Sequence, residues 1–297
     1  MTNDSRHFER RATTERQKSF NFAFLDEGAK REIRRKSLKA VALPGYQVPF
    51  GSRELPIARG WGTGGLQLTL SLIGPDDILK VIDQGSDDSV NAVNIRKFIR
   101  CVTGVVLTTD TLKATLIQTR HRIPEEPLGK EQILIFQVPI PEPLRFVEPS
   151  ELKSRRMHAE ADYSPMWLYL YEDIVQFKEI TIGARYPVMV NDRYVMDPSP
   201  IPRWDVPRLN MADTLYLFGA GREKRIYAVP PYTRVEPLEF DDYRFRVEDC
   251  GDLRCARCDA RDTFLDELPD DDIGKRRYMC SDTSYCVKRS NGKRPNP

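Results

Sequence analysis

The sequence contains neither a long apolar run nor a large excess of charge of one sign. Its apolar stretches fall well short of the roughly 20 residues needed to cross a bilayer, and its polar N-terminus has no apolar signal-peptide core. We therefore expect a cytoplasmic protein that binds no membrane. The 46 basic and 44 acidic side chains leave a net charge of +2. Because nucleic-acid-binding proteins usually carry a marked basic excess, we expect no nucleic-acid partner.

Cysteine is also scarce, with six among the 297 residues. Structural disulfides are rare in a reducing compartment, so we expect none. Cys101 is predicted to lie in the core on an apolar helix face, and Cys250 fits no metal-binding spacing. Neither is expected to be a site residue. The other four cluster near the C-terminus, which favours metal or redox chemistry: Cys255, Cys258, Cys280 and Cys286.

The spacing of these four cysteines leaves two kinds of metal centre open. Cys255 and Cys258 form a CxxC pair, whose tight turn can place two thiolates on one metal. Twenty-one residues separate Cys258 from Cys280, and five separate Cys280 from Cys286. A second pair returning on a hairpin would complete a structural zinc ribbon. Since this second pair is not CxxC, Cys286 need not be an equivalent ligand. Three cysteines could instead hold a [4Fe–4S] cluster with one open iron.

The pattern of apolar residues predicts an α/β (mixed α+β) core, because helical and strand periods both occur along the chain. Helices are predicted at 26–42, 75–83, 89–101 and about 165–178. Strands are predicted at 66–72, 115–121, 132–138, 215–218 and 226–229, with a hairpin that pairs 188–190 with 193–195.

Composition divides the chain into four parts. Residues 1–18 are predicted to be a disordered extension, because they are highly charged and poor in apolar residues. Two proline-rich segments bracket 149–202, which we interpret as an inserted helix and hairpin module that docks a partner. The core then comprises 19–148 and 203–248. Two ordinary proline-containing loops within one domain remain the alternative. Residues 249–297 form a cysteine-rich, zinc-ribbon-like module and tail, too poor in apolar residues to fold without a metal.

Several unusual strings occur in a fixed order along the chain. They are KAVALPGYQVPFGSRELP, GWGTGG, KVIDQG, IQTRHRIPE, IFQVPIPEPLRF, RYVMDPSPIP, LFGAGREKRIYAVPP and CSDTSYC. Together they resemble the PhnJ family, the radical S-adenosylmethionine subunits of carbon–phosphorus lyase, from about Phe20 to Cys286. The extension before Ser19 and the residue Cys250 lie outside the resemblance. The resemblance implies phosphonate catabolism, with alpha-D-ribose 1-methylphosphonate 5-phosphate cleaved to methane and alpha-D-ribose 1,2-cyclic phosphate 5-phosphate.

The resemblance also implies roles for five residues. Cys255, Cys258 and Cys280 would hold a [4Fe–4S] cluster that binds S-adenosylmethionine, while Cys286 would carry a thiyl radical and Gly45 a glycyl radical. Sulfur–hydrogen and glycyl carbon–hydrogen bonds have similar strengths, so hydrogen can pass between the two sites if the fold brings them close. Local sequence alone explains Gly45 by the commoner role of a helix C-cap after Pro44. The family works in a multi-subunit core complex with a further ATP-binding-cassette subunit.

The implied substrate carries two anionic phosphorus groups, which should meet cations and backbone amides. His121 lies between two arginines, which disfavours its protonated form and suits a neutral ring that faces a metal or a phosphate. A second metal site there would need ligands from another subunit. A basic surface turn and a glycine loop used only for packing are the alternatives. The candidates are Arg120, His121, Arg122, Arg222, Lys224 and Arg225, with Gly62, Thr63, Gly64 and Gly65 as a backbone anion nest.

A non-catalytic interpretation stays open beside the enzymatic one. In it, the cysteine module is a structural zinc ribbon and the chain is a scaffold subunit of a multiprotein complex. The pairing of Gly45 with the unequal spacing before Cys286 favours the enzyme, because a zinc scaffold has no need of that glycine. Zinc can also replace iron in an aerobic preparation, so bound zinc would not decide between the two.

Overall fold

The structure is a computed structural model that describes residues 26–50, 64–138, 144–178, 188–196, 205–221, 223–237, 250–269 and 276–292. The predicted extension at 1–18 lies outside these ranges, as do the candidate residues Gly62, Thr63 and Arg222. Among the described helices, none has both the length and the apolar character required to cross a membrane.

Helices and strands are mixed through the described part of the chain. The helices are α1 (Glu27–Ala42), α2 (Gly64–Leu72), α3 (Val90–Thr103), α4 (Leu144–Val147), α5 (Glu151–Glu160), α6 (Ser164–Phe177), α7 (Val206–Leu209) and α8 (Thr283–Gly292). The strands are β1 (Val48–Pro49), β2 (Ile78–Asp83), β3 (Val106–Leu107), β4 (Leu116–Arg120), β5 (Ile133–Val138), β6 (Val188–Val190), β7 (Arg193–Met196), β8 (Leu215–Ala220), β9 (Arg225–Val229), β10 (Val235–Pro237), β11 (Leu265–Leu268) and β12 (Arg277–Cys280).

A seven-stranded sheet forms the centre of the fold, in the order β1-β9-β8-β5-β4-β2-β3. The five strands from β8 to β3 are parallel, whereas β9 is antiparallel to both β8 and β1. The predicted mixed α/β core is therefore confirmed. Parallel strands end at the same edge of a sheet, and in α/β folds ligands bind at that edge. We call it the carboxyl edge; it is where Asp83, Arg120, Val138 and Ala220 end their strands.

Both faces of the sheet are buried, which explains why its central strands are almost wholly apolar. Successive strand side chains point to opposite faces. Ile135 and Leu217 pack with Ile33 and Leu68 from α1 and α2 on one face. On the other face, the cluster combines residues of the sheet with residues of α7 and of a small sheet ordered β10-β6-β7: Leu134, Phe136, Phe218, Tyr227, Val188, Val190, Val206 and Val235.

Several predicted elements are confirmed, and their ends have local causes. Asp26 caps α1 by accepting a hydrogen bond from the Ala29 amide. Ser89 caps α3, and Gly104 ends it in the left-handed region. The strands predicted at 115–121 and 132–138, the helix near 165–178 and the hairpin of β6 and β7 are also present.

Two neighbouring predictions are wrong. Residues 66–72, predicted as a strand, form α2, and residues 75–83, predicted as a helix, contain β2. Helix α2 is buried from Gly64 to Ser71, so its leucines are not confined to one helical face and their alternation resembled a strand. Strand β2 lies between β3 and β4 with nearly every residue buried. A short apolar run buried on both faces has no diagnostic period.

Cys101 is a further correction, since it is exposed rather than buried. The buried residues of α3 are Ala92, Ile95 and Ile99. Two residues beyond Ile99 is a rotation of about 200° around the helix, which carries Cys101 to the solvent side.

The segment 149–202 divides into parts with different surroundings. Its hairpin pairs with β10 through β6, and Val188 and Val190 belong to a core cluster of the main sheet. The hairpin therefore packs on the core. Helices α5 and α6 instead expose large apolar side chains, and the boundaries of a docking module at 149 and 202 stay a prediction. The exposed apolar residues are Leu152, Leu168, Tyr169, Val175 and Phe177.

Candidate metal centre and the carboxyl edge of the sheet

The four C-terminal cysteines come together on a two-stranded hairpin and one helix, which we call the cysteine module (250–269 and 276–292). Cys255 and Cys258 lie in a turn before β11, and the Ala256 amide ties this turn to Tyr278 of β12. Cys280 ends β12 opposite Leu265. Cys286 closes the first turn of α8, with its amide bonded to the Asp282 carbonyl. All four side chains are buried, and their sulfur atoms lie within 4.8 Å of one another.

Backbone amides prepare one of these thiols for ionisation. Burial by itself raises the pKa of Cys255, but hydrogen bonds from the backbone amides of Cys258, Cys280 and Arg257 outweigh it and lower that pKa to about 6. Burial and the neighbouring Cys255 sulfur raise the pKa of Cys286, and burial raises that of Cys280. A bound cation would stabilise the remaining thiolates, because opposite charge favours the ionised form.

The arrangement of the four sulfurs matches a single tetrahedral ion. The Cys258 and Cys280 sulfurs are 3.4 Å apart, and those of Cys255 and Cys286 are 3.7 Å apart. Four thiolates at ~2.3 Å from zinc would lie ~3.8 Å from one another. An iron–sulfur cubane places each cysteine on a different iron and so needs wider separations. The Cys286 sulfur lies close enough to the other three to serve as a fourth ligand of such an ion.

Polar contacts fasten the cysteine module to the carboxyl edge. The Glu125 amide donates to the Asp282 carboxylate, and the Glu125 carboxylate accepts from the Phe264 amide. Arg122 donates to the Ser281 hydroxyl, and its guanidinium carbon lies 3.0 Å from the centre of the Phe264 ring. The metal centre therefore adjoins the edge of the sheet where ligands bind in α/β folds.

Sequence reasoning missed several residues of this junction, among them the buried Lys80 in β2, which contacts Ser284 of α8. The sequence did contain an indication of this residue, because a lysine in the middle of the apolar strand ILKVID needs a polar partner once it is buried. The identity of that partner could not be predicted, since it lies 204 residues away in sequence.

The predicted basic cluster also lies at the carboxyl edge beside the cysteine module. Arg120 donates two hydrogen bonds of 2.9 Å to the Asp83 carboxylate, so its charge is paired. His121 is half-buried in the left-handed region at φ 78°, which is uncommon for a residue with a side chain. Burial and the charge of Arg120 lower the pKa of His121. A lowered pKa favours the neutral ring expected from the two flanking arginines, and the role of His121 stays a prediction.

The other described substrate candidates also lie at the carboxyl edge, but away from Arg120 and His121. Lys224 lies in the turn between β8 and β9, and Arg225 is the first residue of β9, which is three strands away from β4. Gly64 and Gly65 are buried at the start of α2, where they pack against Gly219 and Gln137. An added Cβ at Gly64 would lie 2.5 Å from the Gly219 carbonyl carbon. The close approach of helix and strand thus explains both glycines.

Gly45 lies elsewhere in the fold. Its amide bonds to the Ala228 carbonyl of β9, and the Tyr46 amide bonds back to Leu43. With Pro44 before it and φ of 78°, Gly45 occupies the third position of a type II turn. Strands β8 and β5 separate β9 from β4, a span of roughly 14 Å at the usual strand spacing. The described conformation therefore does not bring Gly45 and Cys286 together.

Comparison with known proteins identifies relatives over almost the whole chain. Residues 18–292 match the family described as phosphonate metabolism protein PhnJ. The chain is 61% identical over 274 residues to the alpha-D-ribose 1-methylphosphonate 5-phosphate C-P lyase of Escherichia coli (strain K12), covering 92% of this chain and 97% of that protein. It is 58% identical over 271 residues to the protein of the same name from Rhizobium meliloti (strain 1021), covering 91% of each chain.

Proposed function

This chain belongs to the PhnJ family of phosphonate metabolism proteins, and we propose that it is a lyase that breaks a carbon–phosphorus bond. The observation that carries the proposal is 61% identity, over 92% of the chain, to a relative named for cleavage of alpha-D-ribose 1-methylphosphonate 5-phosphate. We propose the same substrate here, with methane and alpha-D-ribose 1,2-cyclic phosphate 5-phosphate as products. The cytoplasm is the proposed location, because phosphorylated sugars are intracellular metabolites.

The chemistry of the bond supports a radical route. A methyl anion is too basic to leave phosphorus near neutral pH, so ionic hydrolysis is blocked. A [4Fe–4S] cluster with bound S-adenosylmethionine supplies an organic radical when it receives an electron. Cys255, Cys258 and Cys280 would hold the cluster, since their buried thiols converge and backbone amides favour the Cys255 thiolate. The wider separations of a cubane require the turn at Cys255 and strand β12 to move apart.

In this proposal Cys286 and Gly45 perform the remaining steps. Gly45 would give up a hydrogen atom to the organic radical and then take one from the Cys286 thiol. The resulting Cys286 thiyl radical attacks phosphorus, forms a sulfur–phosphorus bond, breaks the carbon–phosphorus bond and releases the methyl radical. The methyl radical takes a hydrogen atom to become methane, and Gly45 is the proposed donor. The ribose 2-hydroxyl then displaces Cys286 from phosphorus and closes the cyclic phosphate, with its proton passing to the sulfur. The regenerated Cys286 thiol can return a hydrogen atom to the Gly45 radical. Because β8 and β5 separate Gly45 from the cysteine side, the hydrogen transfer requires a second conformation that brings the two residues together.

The carboxyl edge is the proposed substrate surface. His121 and Arg122 adjoin the cysteine module, and Arg122 already contacts Ser281. A neutral His121 can accept a hydrogen bond from a phosphate hydroxyl or bind a second metal together with a partner subunit. Lys224 and Arg225, at the start of β9 and three strands away from β4, suit the more distant 5-phosphate. We further propose that the exposed apolar side chains of α5 and α6 contact other subunits of the lyase core complex or an ATP-binding-cassette subunit.

A non-catalytic zinc scaffold is the second candidate, and one observation favours it. The sulfur separations of 3.4 and 3.7 Å fit a single tetrahedral ion and use Cys286 as its fourth ligand. In that case the cysteine module would serve only to fold and dock the chain, and Cys286 would never react.

The test is anaerobic reconstitution of the chain with its partner subunits, iron and sulfide, followed by dithionite, S-adenosylmethionine and substrate. The readouts are 5′-deoxyadenosine and methane in the headspace. We expect both from the wild type and from Cys101→Ala, a control that removes an exposed cysteine outside the cluster. We expect deoxyadenosine without methane from Cys286→Ala. A folded, assembled protein with no cluster absorbance and no deoxyadenosine would instead identify the zinc scaffold.

A further inference from the structure

Lys80 is a charged residue with no exposed surface, in strand β2 next to the edge strand β3. Its ammonium group donates three hydrogen bonds, to the Asp87 carboxylate at 3.2 Å, the Thr109 carbonyl at 2.7 Å and the Ser284 hydroxyl at 2.8 Å. An ammonium group has three donors, so its hydrogen-bonding capacity is fully used. A buried charge is costly unless paired and hydrogen-bonded, so this geometry ties Lys80 to one position of Ser284.

Ser284 belongs to the first turn of α8, which also carries Cys286. Its hydroxyl donates to the Asp282 carboxylate, which in turn caps the helix through the Tyr285 amide. The Asp87 amide donates to Thr283 in the same turn. A chain of hydrogen bonds therefore runs from the rigid strand β2 to the helix start, and it holds α8 in both rotation and register.

Ser284 and Cys286 are two residues apart, which is a rotation of about 200° around a helix. The hydroxyl of Ser284 thus contacts the sheet on one side of the turn, while Cys286 reaches the other three cysteines on the opposite side. We propose that Lys80 is a positioning residue of the metal centre, which holds the first turn of α8 so that the Cys286 sulfur completes the four-cysteine site. The other three cysteines lie on the β11–β12 hairpin and its preceding turn, and Lys80 does not control them. The inference concerns the position of the Cys286 sulfur, and it applies whether that sulfur is a fourth zinc ligand or carries the thiyl radical of the proposed function.

Cobalt(II) binding to the full-length protein tests this assignment, because its visible spectrum distinguishes four thiolate ligands from three thiolates and a water. We expect a four-thiolate spectrum from the wild type, from Ser284→Thr, which keeps the hydroxyl, and from Lys97→Met, which removes an exposed lysine of α3. We expect Lys80→Met and Ser284→Ala to show a three-thiolate spectrum. Their cobalt affinity should fall at least tenfold, the usual result of removing a partner behind a metal ligand. The double variant Lys80→Met, Ser284→Ala should bind cobalt as tightly as either single variant, since both substitutions remove the same contact.

A second readout uses the metal-free protein. Iodoacetamide labelling, quantified residue by residue, should modify Cys286 several-fold faster in Lys80→Met and Ser284→Ala than in the wild type, with Cys258 unchanged. Circular dichroism checks folding, and if Lys80→Met does not fold, Ser284→Ala decides alone. A folded Ser284→Ala protein with the wild-type cobalt spectrum, affinity and labelling rate would overturn the assignment.

Discussion

Replacing Gly64 by alanine should destabilise the protein substantially, because α2 and β8 touch at this residue. The added methyl carbon would lie 2.5 Å from the Gly219 carbonyl carbon, 2.6 Å from its oxygen and 2.6 Å from the Ala220 carbonyl carbon. Carbon atoms in contact lie about 3.5–4.0 Å apart, so the helix must move away by about 1 Å. All three obstacles are backbone atoms of a central strand, and no side chain can rotate to make room.

The expected loss follows from the cost of overpacking. Forcing an extra methyl group into a packed core costs about 1–3 kcal/mol, and rigid backbone neighbours put this site at the upper end, about 3 kcal/mol. Alanine recovers up to about 1 kcal/mol through its better helix propensity, although the first residue of a helix benefits least. The net loss is about 2–3 kcal/mol, or a urea midpoint lower by about 1 M for an m-value of about 3 kcal/mol/M.

Urea unfolding monitored by circular dichroism measures this loss, with Gly292→Ala as the matched control. An added Cβ at Gly292 has no neighbour within 4 Å, so that variant should unfold within 0.5 kcal/mol of the wild type, as surface changes usually do. A Gly64→Ala protein as stable as Gly292→Ala would refute the packing explanation. It would then favour the anion nest predicted from the glycine-rich sequence, in which space remains above the backbone.

Three further predictions concern other parts of the fold. Gly45→Ala should lower the free energy of unfolding by about 1 kcal/mol, because φ is 78° there and the left-handed region costs other residues about that much. A loss of activity larger than the fraction of unfolded protein explains would indicate that Gly45 takes part in the reaction. Burial raises the pKa of Asp205 to about 7 from 3.8, so the folded state binds more protons than the unfolded state between these values. Wild-type stability should therefore fall relative to Asp205→Asn as the pH rises from 4 to 7, and parallel stability curves from urea unfolding would contradict this. Lys288→Ala should lower the free energy of unfolding by less than about 1 kcal/mol, and by less still in high salt, since its ion pairs with Asp110 and Glu126 are partly exposed. A loss of unfolding free energy above about 2 kcal/mol that does not depend on salt would contradict this.

Local sequence predicted those elements whose ends are made by neighbouring residues. Helices α1 and α3 lie close to their predicted ranges, and the structure shows a local reason: Asp26 and Ser89 cap amides three residues away and Gly104 ends its own helix. Helix α2 and strand β2 were interchanged because both are buried on all sides. Burial of that kind comes from distant parts of the chain, so the local pattern of apolar residues carries no period.

Part of the candidate site could likewise be predicted from local sequence, and part could not. The CxxC pair and its two later partners could be identified from spacing, since a metal needs thiolates in close turns. The convergence of all four sulfurs within 4.8 Å could not be predicted from spacing, because it requires the β11–β12 hairpin and α8 to pack together. The substrate candidates were chosen for charge, yet Arg120 is paired with Asp83 and Gly64 is buried against Gly219.

The amino-acid sequence by itself determined the mixed α/β class, the four cysteines of the candidate metal centre, the capped helices and the resemblance to the PhnJ family, because each depends on residues close together or on an ordered set of strings. The tertiary structure alone decided that Lys80 contacts the helix bearing Cys286. It also decided that Gly45 lies beside β9, which β8 and β5 separate from β4. Both depend on strand order and on contacts between residues about 200 positions apart. Such contacts arise only when the whole chain buries its core, and no local pattern of residue types encodes them.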